Sequence, residues 1–338
     1  MKKEQIIGLH DKGFNAEYIS QKVGSTIQCV RAVISQHKRL QKAQKQTITQ
    51  PAEKPQEAPK KTVSIDLSEL IPEENKDYIP RKLGCGFTDM ELISKMYETR
   101  YKNKNPRFPL LIGDTGSGKT VLLSTFAGKK KIPYMRLNLN GATTPEDLVG
   151  QFIQNSEGKF IWVDGWLTMF MRHGGLLVLD EINMCNADIL SILHSVTDTE
   201  KRLVLAQKDG EVIHAHNEFW VAATMNPDYE GTKPLNTALR DRFIEISIPY
   251  CVKVERKLGI DKKFMEVVEK LRQSEAIIRP VSTRDLINYK DDIVDFGTET
   301  ANFFFINRFD TAEQKVVAEI LDLTMNGDEP QPEVEQND

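Results

Sequence analysis

One eight-residue stretch combines residue types and spacing that can hold a chain of phosphates. Residues 113–120 read Gly-Asp-Thr-Gly-Ser-Gly-Lys-Thr, the G-x-x-x-x-G-K-[ST] pattern of a P-loop. Glycines let the backbone curl so that successive N–H groups point at phosphate oxygens. The lysine brings positive charge to the β- and γ-phosphates, and the hydroxyl that follows can bind Mg²⁺. The pattern therefore predicts a nucleotide-binding loop made by Gly113, Asp114, Thr115, Gly116, Ser117, Gly118, Lys119 and Thr120.

The residues on either side of this loop predict the elements that must hold it. The apolar run 108–112 predicts a buried strand, and residues 121–127 predict a helix that ends at Gly128. A helix that starts at the loop adds its positive end to the anion site. Because the loop reads phosphates and not the base, the residues leave ATP and GTP both open.

A second chemical position follows about 60 residues later. Four apolar residues, 176–179, run into Asp180 and Glu181, which predicts a central parallel strand with two acids at its carboxyl end. In open α/β sheets that end faces the ligand. We expect Asp180 to hold Mg²⁺ through water and Glu181 to polarise the attacking water.

Four further polar residues are candidates for the same reaction. Asn226 follows a buried strand over 219–225, where it can orient water beside the γ-phosphate. Arg240 and Arg242 are either surface charges or the cation that completes a γ-phosphate site, often from another subunit. Residues 282–284 open a predicted helix that can aim Arg284 at the nucleotide.

Composition limits the class of protein. The chain has 338 residues, of which 40% are hydrophobic, enough for about two domains. No run approaches the roughly 18 apolar residues of a membrane span, so a soluble, cytoplasmic protein is expected. The four cysteines are widely separated in the sequence, which favours reduced thiols over a metal site or disulfides.

Charge divides the chain into a basic head and an acidic body. Residues 1–61 hold 12 Lys and Arg against 5 Asp and Glu, a net charge of +7, and the remainder carries −11. Helices are predicted over 3–12 and 16–23, with a third opened by a capping box of Ser25 and Gln28. This order is typical of a helix-turn-helix, with Gln28 and Arg31 near the start of the third helix. The alternatives left open are DNA binding and a three-helix module that docks on protein.

The predicted organisation has five segments. They are an all-α head over 1–40, a Gln/Lys/Pro-rich linker over 41–62, an α/β core over 63–250, a helical lid over 251–326 and an acidic tail over 327–338. Within the core, hairpins are predicted over 151–163 and 202–216, the second turning at Asp209-Gly210. Lid helices are predicted over 264–271, 283–295 and 312–323.

Five motifs in order resemble the AAA+ ATPases of the MoxR/CbbQ/CobS group, the dynein-related type. They are Walker A (113–120), Walker B (176–181), sensor 1 (224–227), the arginine-finger segment (240–243) and sensor 2 (282–284). Linking phrases at 137–150, 164–167 and 215–219 also resemble the group, and the resemblance covers roughly residues 85–320.

The resemblance implies a P-loop NTPase fold with a parallel sheet and a C-terminal lid, ATP with Mg²⁺, and a ring, commonly a hexamer. It also implies that the two hairpins are inserts facing the pore or the client, and that a von Willebrand A-type partner is a candidate. The head on its linker departs from the group. We therefore expect a ring that remodels a protein client, with two alternatives: a DNA-directed motor or loader, or a DNA-binding regulator that uses ATP as an assembly switch.

Overall fold

The computed structural model describes residues 2–35, 66–102, 106–226, 235 and 237–325. The chain divides into two compact units, Met1–Lys61 and Thr62–Asp338. The predicted acidic tail lies outside the described residues, as does the linker over 41–62. None of the helices in the described ranges combines the length and apolar character that a bilayer crossing requires.

The first unit is a group of three short helices, α1 (Lys2–Asp11), α2 (Ala16–Val23) and α3 (residues 27–35). The Asn15 side chain accepts the Tyr18 N–H (2.9 Å) at the start of α2, and Gly24 ends that helix in the left-handed conformation. One buried residue from each helix makes the small core, namely Ile6, Ile19 and Val30.

The cap of α3 corrects the sequence prediction by one residue. The Thr26 carbonyl accepts the Val30 N–H (3.1 Å), and the Thr26 hydroxyl accepts the Cys29 N–H (3.4 Å). Thr26 is therefore the N-cap, in place of the predicted Ser25. Two neighbouring hydroxyl residues can both cap, and the sequence does not show where the turn after Gly24 ends.

The second unit is built on a parallel sheet. Its described residues form nine strands: β1 (Phe108–Ile112), β2 (Tyr134–Asn138), β3 (Gly150–Gln154), β4 (Phe160–Asp164), β5 (Gly175–Asp180), β6 (Arg202–Leu205), β7 (Glu211–His214), β8 (Phe219–Met225) and β9 (Phe243–Ser247). Five of them pair in the order β2-β5-β8-β1-β9, every pair parallel. All six residues of β5 are buried, as expected of a strand covered on both faces.

The α-helices that accompany these strands in the described part of the chain are α4 (Asp89–Glu98), α5 (Lys119–Lys130), α6 (Pro145–Val149), α7 (Trp166–His173), α8 (Ala187–Val196) and α9 (Thr237–Arg240). Helices α4, α5 and α7 pack against strands of the sheet. Thr88 and Glu91 form a capping box at the start of α4. The core between these layers includes fully buried Phe126, Phe170 and Trp220.

Helix α5 corrects a second prediction. It passes through Gly128 and ends only at Lys130, with Lys131 in the left-handed conformation (φ 55°). Gly128 is required by packing instead, because a Cβ there would lie 2.7 Å from the carbonyl oxygen of Glu73. A close approach of another backbone selects glycine without ending the helix.

Both predicted hairpins are present as separate two-stranded sheets, β3 with β4 and β6 with β7. In the second, Asp209 (φ 51°) and Gly210 (φ 72°) take the positive φ values of the predicted turn. The loop is nevertheless five residues long, because Leu205 pairs with Glu211.

The lid contains five helices: α10 (Val252–Lys257), α11 (Lys262–Gln273), α12 (Thr283–Phe296), α13 (Thr298–Ile306) and α14 (Thr311–Met325). Its own core centres on three aromatic rings, with Phe264 stacked on Tyr289 and both contacting Phe305 edge-on. The sequence predicted three of these helices and missed α10 and α13.

Candidate active site

The predicted site residues meet because three strands lie side by side. Strand β8 lies between β5 and β1, so the chain segments that follow all three reach the same edge of the sheet. They surround a cavity of about 140 Å³ lined by the P-loop, Asp180, Glu181, Asn226 and Arg284. Residues from four distant parts of the sequence are thereby brought together, as the resemblance implied.

Lys119 is the central cation of this cavity. Its Nζ donates to the carbonyl oxygens of Gly113 (2.7 Å) and Asp114 (2.9 Å) and to Asn226 Oδ1 (2.7 Å). Burial lowers the pKa of the ammonium to about 8, and the nearby carboxylates of Asp180 and Asp114 oppose that shift. A phosphate bound here would supply a negative counter-charge to the desolvated ammonium of Lys119.

The loop backbone depends on glycine at two positions. Gly116 and Gly118 have φ values of 75° and 90°, which side chains disfavour. Space is also restricted, since a Cβ on Gly118 would lie 2.8 Å from Arg81 Nη2. Arg81 is itself buried, donates to Asp89 (2.9 Å) and to the Pro249 carbonyl (3.0 Å), and so forms a fixed wall behind the loop.

Asp180 and Glu181 stand at the end of β5 in different environments. Asp180 is buried, accepts a hydrogen bond from the Thr224 hydroxyl and pairs with the Arg136 guanidinium (Nε–Oδ2 2.7 Å). Glu181 has a left-handed backbone (φ 57°), and its N–H donates to Thr224 (3.2 Å). The turn at Glu181 separates the two carboxylates, although both line the cavity.

Asn226 bridges the two halves of the site. Besides accepting from Lys119, its Nδ2 donates to Thr115 Oγ1 (3.3 Å) and Glu181 Oε1 (3.4 Å). The Asn226 carbonyl accepts from Asn183 Nδ2 (3.1 Å), which fixes the backbone after β8. A single amide therefore contacts the P-loop, its lysine and the predicted general base.

The residues present fit a triphosphate with Mg²⁺. The buried Ser117 hydroxyl oxygen has no hydrogen-bond partner among the described residues, so the loop contains an unsatisfied polar group. The Thr120 hydroxyl and the Asp180 carboxylate line the same cavity, and hard oxygen ligands of this kind suit Mg²⁺. Thr120 and Asp180 are the side chains that would hold the ion.

Arg284 reaches the cavity from the lid. It is the second residue of α12, which begins after a capping box of Ser282 and Asp285. The lid touches the loop closely at this point, since a Cβ on Gly116 would lie 2.8 Å from Ser282 Cβ. The predicted sensor 2 residue is thus next to the P-loop within one chain.

Arg240 and Arg242 are not among the residues that line this cavity. Arg240 is half exposed and pairs with Glu245 through two hydrogen bonds (2.6 and 2.9 Å). Arg242 donates to the Ala238 carbonyl and lies 4.0 Å from Asp198. Their described partners are thus residues outside the P-loop cavity.

A larger cavity beside the P-loop was not predicted. It measures about 340 Å³ and lies between the segment before α4, the loop and the lid. Apolar side chains contribute much of its wall, including Ile79, Val121, Val254, Leu258 and Ile287. Single apolar residues in four distant segments give no spacing pattern, so the sequence could not reveal them as one surface. Arg136 was missed for a related reason, as a lone charge within strand β2.

Comparison with known proteins agrees with this geometry. Residues 109–243 match the AAA domain of the dynein-related subfamily. An uncharacterised protein of Staphylococcus epidermidis is 35% identical over 201 residues, which are 54% of this chain and 76% of that protein. Protein CbbQ of Hydrogenophilus thermoluteolus is 32% identical over 204 residues, 56% of this chain and 75% of that protein.

A crystal structure of a protein from Cytophaga hutchinsonii overlaps 75% of this chain and 82% of its own, with 21% identity and a TM-score of 0.40. That likeness is too weak to add to the assignment.

The fold, the site and the sequence relatives together define a P-loop ATPase of the AAA+ class. The chain belongs to the dynein-related AAA family and is of the MoxR/CbbQ type.

Proposed function

We propose that the protein hydrolyses ATP with Mg²⁺ and uses the energy to remodel a protein client. The observation that supports the chemistry is the convergence of Lys119, Asn226, Asp180 and Glu181 around one cavity. Catalysis of phosphoryl transfer in a P-loop site consists almost entirely of positioning the reactants and stabilising charge.

Each residue has a defined part in this reaction. The P-loop N–H groups and Lys119 bind the β- and γ-phosphates, and Asn226 orients the attacking water beside them. Glu181, held 3.4 Å from the Asn226 amide, polarises that water. When bound through Thr120 and Asp180, Mg²⁺ supplies charge neutralisation at the phosphates. Arg284 adds a cation from the lid.

The proposed assembly is a ring, most simply a hexamer. An intact site needs a cation at the γ-phosphate from outside the chain, because Arg240 and Arg242 lie away from their own cavity. Arg240 and Arg242 of one subunit would then complete the site of the next. Self-association is therefore part of the catalytic proposal.

Client contact is assigned to the two hairpins. They expose apolar side chains, among them Phe152, Phe160, Val204 and Val212. Exposed apolar surface of this kind marks interaction sites. The basic head would recruit or tether the client, or a von Willebrand A-type partner chain.

A second candidate makes DNA the object of the ring. The head has the helix order of a helix-turn-helix, and Gln28 and Arg31 are exposed on α3. With the net charge of +7 on residues 1–61, this favours duplex DNA as a ligand of the head. The ring would then act as a motor or loader, or ATP would serve as an assembly switch for a DNA-binding regulator.

The ATPase rate with and without duplex DNA separates these candidates, when measured on the full chain and on a chain that begins at Thr62. Stimulation that requires residues 1–61 supports DNA as object or docking platform. An equal, unstimulated rate in both chains supports a protein client. Slow hydrolysis that neither DNA nor a partner changes would favour the assembly switch.

A further inference from the structure

Tyr250 joins the P-loop to the lid at the point where the core ends. Its hydroxyl donates to the Thr115 carbonyl oxygen (2.7 Å), in the middle of the loop. The Thr115 hydroxyl in turn accepts from Asn226. Burial raises the pKa of the Tyr250 phenol, so the hydroxyl remains a donor at all ordinary pH values.

The other face of Tyr250 contacts a buried ion pair in the lid. The Arg272 guanidinium lies 4.4 Å from the centre of the Tyr250 ring. Arg272 binds Glu255 through two hydrogen bonds (2.8 and 2.9 Å) and donates to the Val281 carbonyl (2.9 Å). The Glu255 side chain is 1% exposed and that of Arg272 16% exposed, so this pair is rigidly held.

The ion pair ends on the helix that carries Arg284. Glu255 Oε1 accepts from the Thr283 hydroxyl (2.6 Å), and Thr283 is the first residue of α12. One carboxylate thereby joins helices α10, α11 and α12. The contacts run without a gap from Thr115 in the loop to the residue beside Arg284.

We propose that Tyr250, Arg272 and Glu255 are positioning residues that couple the P-loop to Arg284. The coupling rests on the proposed nucleotide site, since Arg284 matters only if it meets the phosphates. A loop that closes on phosphate moves the Thr115 carbonyl, and the rigid pair transmits this movement to the start of α12. Loss of the Tyr250 hydroxyl should therefore weaken the contribution of Arg284 without removing any phosphate ligand.

The test is a double-mutant cycle on ATP affinity, using the full chain and a fluorescent ATP analogue with Mg²⁺. Tyr250→Phe keeps the ring over Arg272 and removes only the bond to Thr115. We expect roughly three- to tenfold weaker binding, as for one lost hydrogen bond. In an Arg284→Gln background the same change should cost less than about twofold, because the residue it acts through is absent.

Tyr289→Phe is the matched control, because among the described residues its hydroxyl bonds to Asn302, within the lid (2.6 Å). We expect its affinity to stay at the wild-type value, with the thermal midpoint reporting any loss of lid packing. An equal loss for Tyr250→Phe in both backgrounds, or no loss in either, would overturn the coupling while leaving the ATP site intact. Failure of the wild-type chain to bind ATP would contradict the proposed function and the coupling with it.

Discussion

Asn226 has a special place among the site residues because it touches the other three parts of the site. It accepts from Lys119 and donates to Thr115 and Glu181. An amide can do both at once, whereas a carboxylate or an aliphatic side chain cannot. Its contribution to the structure is therefore one of geometry, because it joins Glu181 and Lys119 through one side chain.

Replacing Asn226 with alanine should lower the rate of ATP hydrolysis much more than ATP affinity. We expect roughly a 100-fold loss in kcat, since one preoriented polar contact to the reacting atoms is removed. Steady-state turnover with a separate binding measurement provides the comparison. Asn155→Ala, in the exposed turn between β3 and β4, is the control and should keep the wild-type rate. A larger effect on affinity than on kcat would assign Asn226 to binding instead.

The site residues that the sequence predicted are those with a fixed spacing. Lys119 follows from the P-loop pattern, and Asp180 from its place at the end of a buried strand. Tyr250, Arg272 and Glu255 follow from no spacing at all, because their contacts are made by packing of the lid on the core. The partner of Asp180 in this structure, Arg136, was unpredictable for the same reason.

At the scale of elements, one arginine holds both hairpins. Arg172 on α7 donates to Asp164 at the end of β4 (2.8 Å) and to Glu211 at the start of β7 (2.8 Å). The hydrogen bond from Arg172 lowers the pKa of Glu211 to about 2. Since the folded pKa is below the ordinary value, this contact stabilises the folded protein above about pH 4.5 and is lost as pH falls towards 2.

The thermal midpoint should show this dependence. Glu211→Gln should lower it near neutral pH, and the difference from wild type should shrink between pH 5 and pH 3, because the Glu211 carboxyl of the unfolded chain takes up a proton in that range while the folded one stays ionised. Calorimetry across that range measures the effect, with Glu157→Gln in the exposed β3–β4 turn as control. A difference that stays constant with pH would show that Arg172 does not depend on the charge of Glu211.

The elements themselves were largely predictable where pattern and packing agree. Strand β5 is apolar from Leu176 to Leu179 and was predicted, as were both hairpins. Helix α13 was missed because three consecutive phenylalanines, 303–305, interrupt the spacing of an amphipathic helix. Gly128 was misread because a glycine selected by a neighbouring backbone looks the same as one that ends a helix.

At the scale of the whole molecule, the proposed reaction requires more than one copy of the chain. The Arg240 side chain is exposed, and its ion-pair partner among the described residues is Glu245, itself at the surface. An exposed ion pair of this kind contributes little to stability and can be exchanged for a phosphate at low cost. The exposed arginine therefore suits a role at the site of a neighbouring subunit.

Mixing two inactive chains tests this shared site. A Lys119→Ala chain keeps its arginines, and an Arg240→Ala/Arg242→Ala chain keeps its own cavity. Together they should recover part of the ATPase rate, because some interfaces pair an intact cavity with intact arginines. A mixture of Lys119→Ala with Glu181→Gln is the control and should stay inactive, since every cavity in it is damaged. No recovery in the first mixture would place the arginines outside the reaction.

The assignment of this cavity as the ATPase site is tested most directly by the rate of phosphate release. That rate is measured on the full chain and on its Glu181→Gln variant, with bound ATP quantified in both. We expect the variant to bind ATP and to assemble with it while its turnover falls at least about 100-fold, because only the group that polarises the water has been changed. Turnover equal to wild type in a variant that still binds ATP would contradict the assignment of this cavity as the ATPase site.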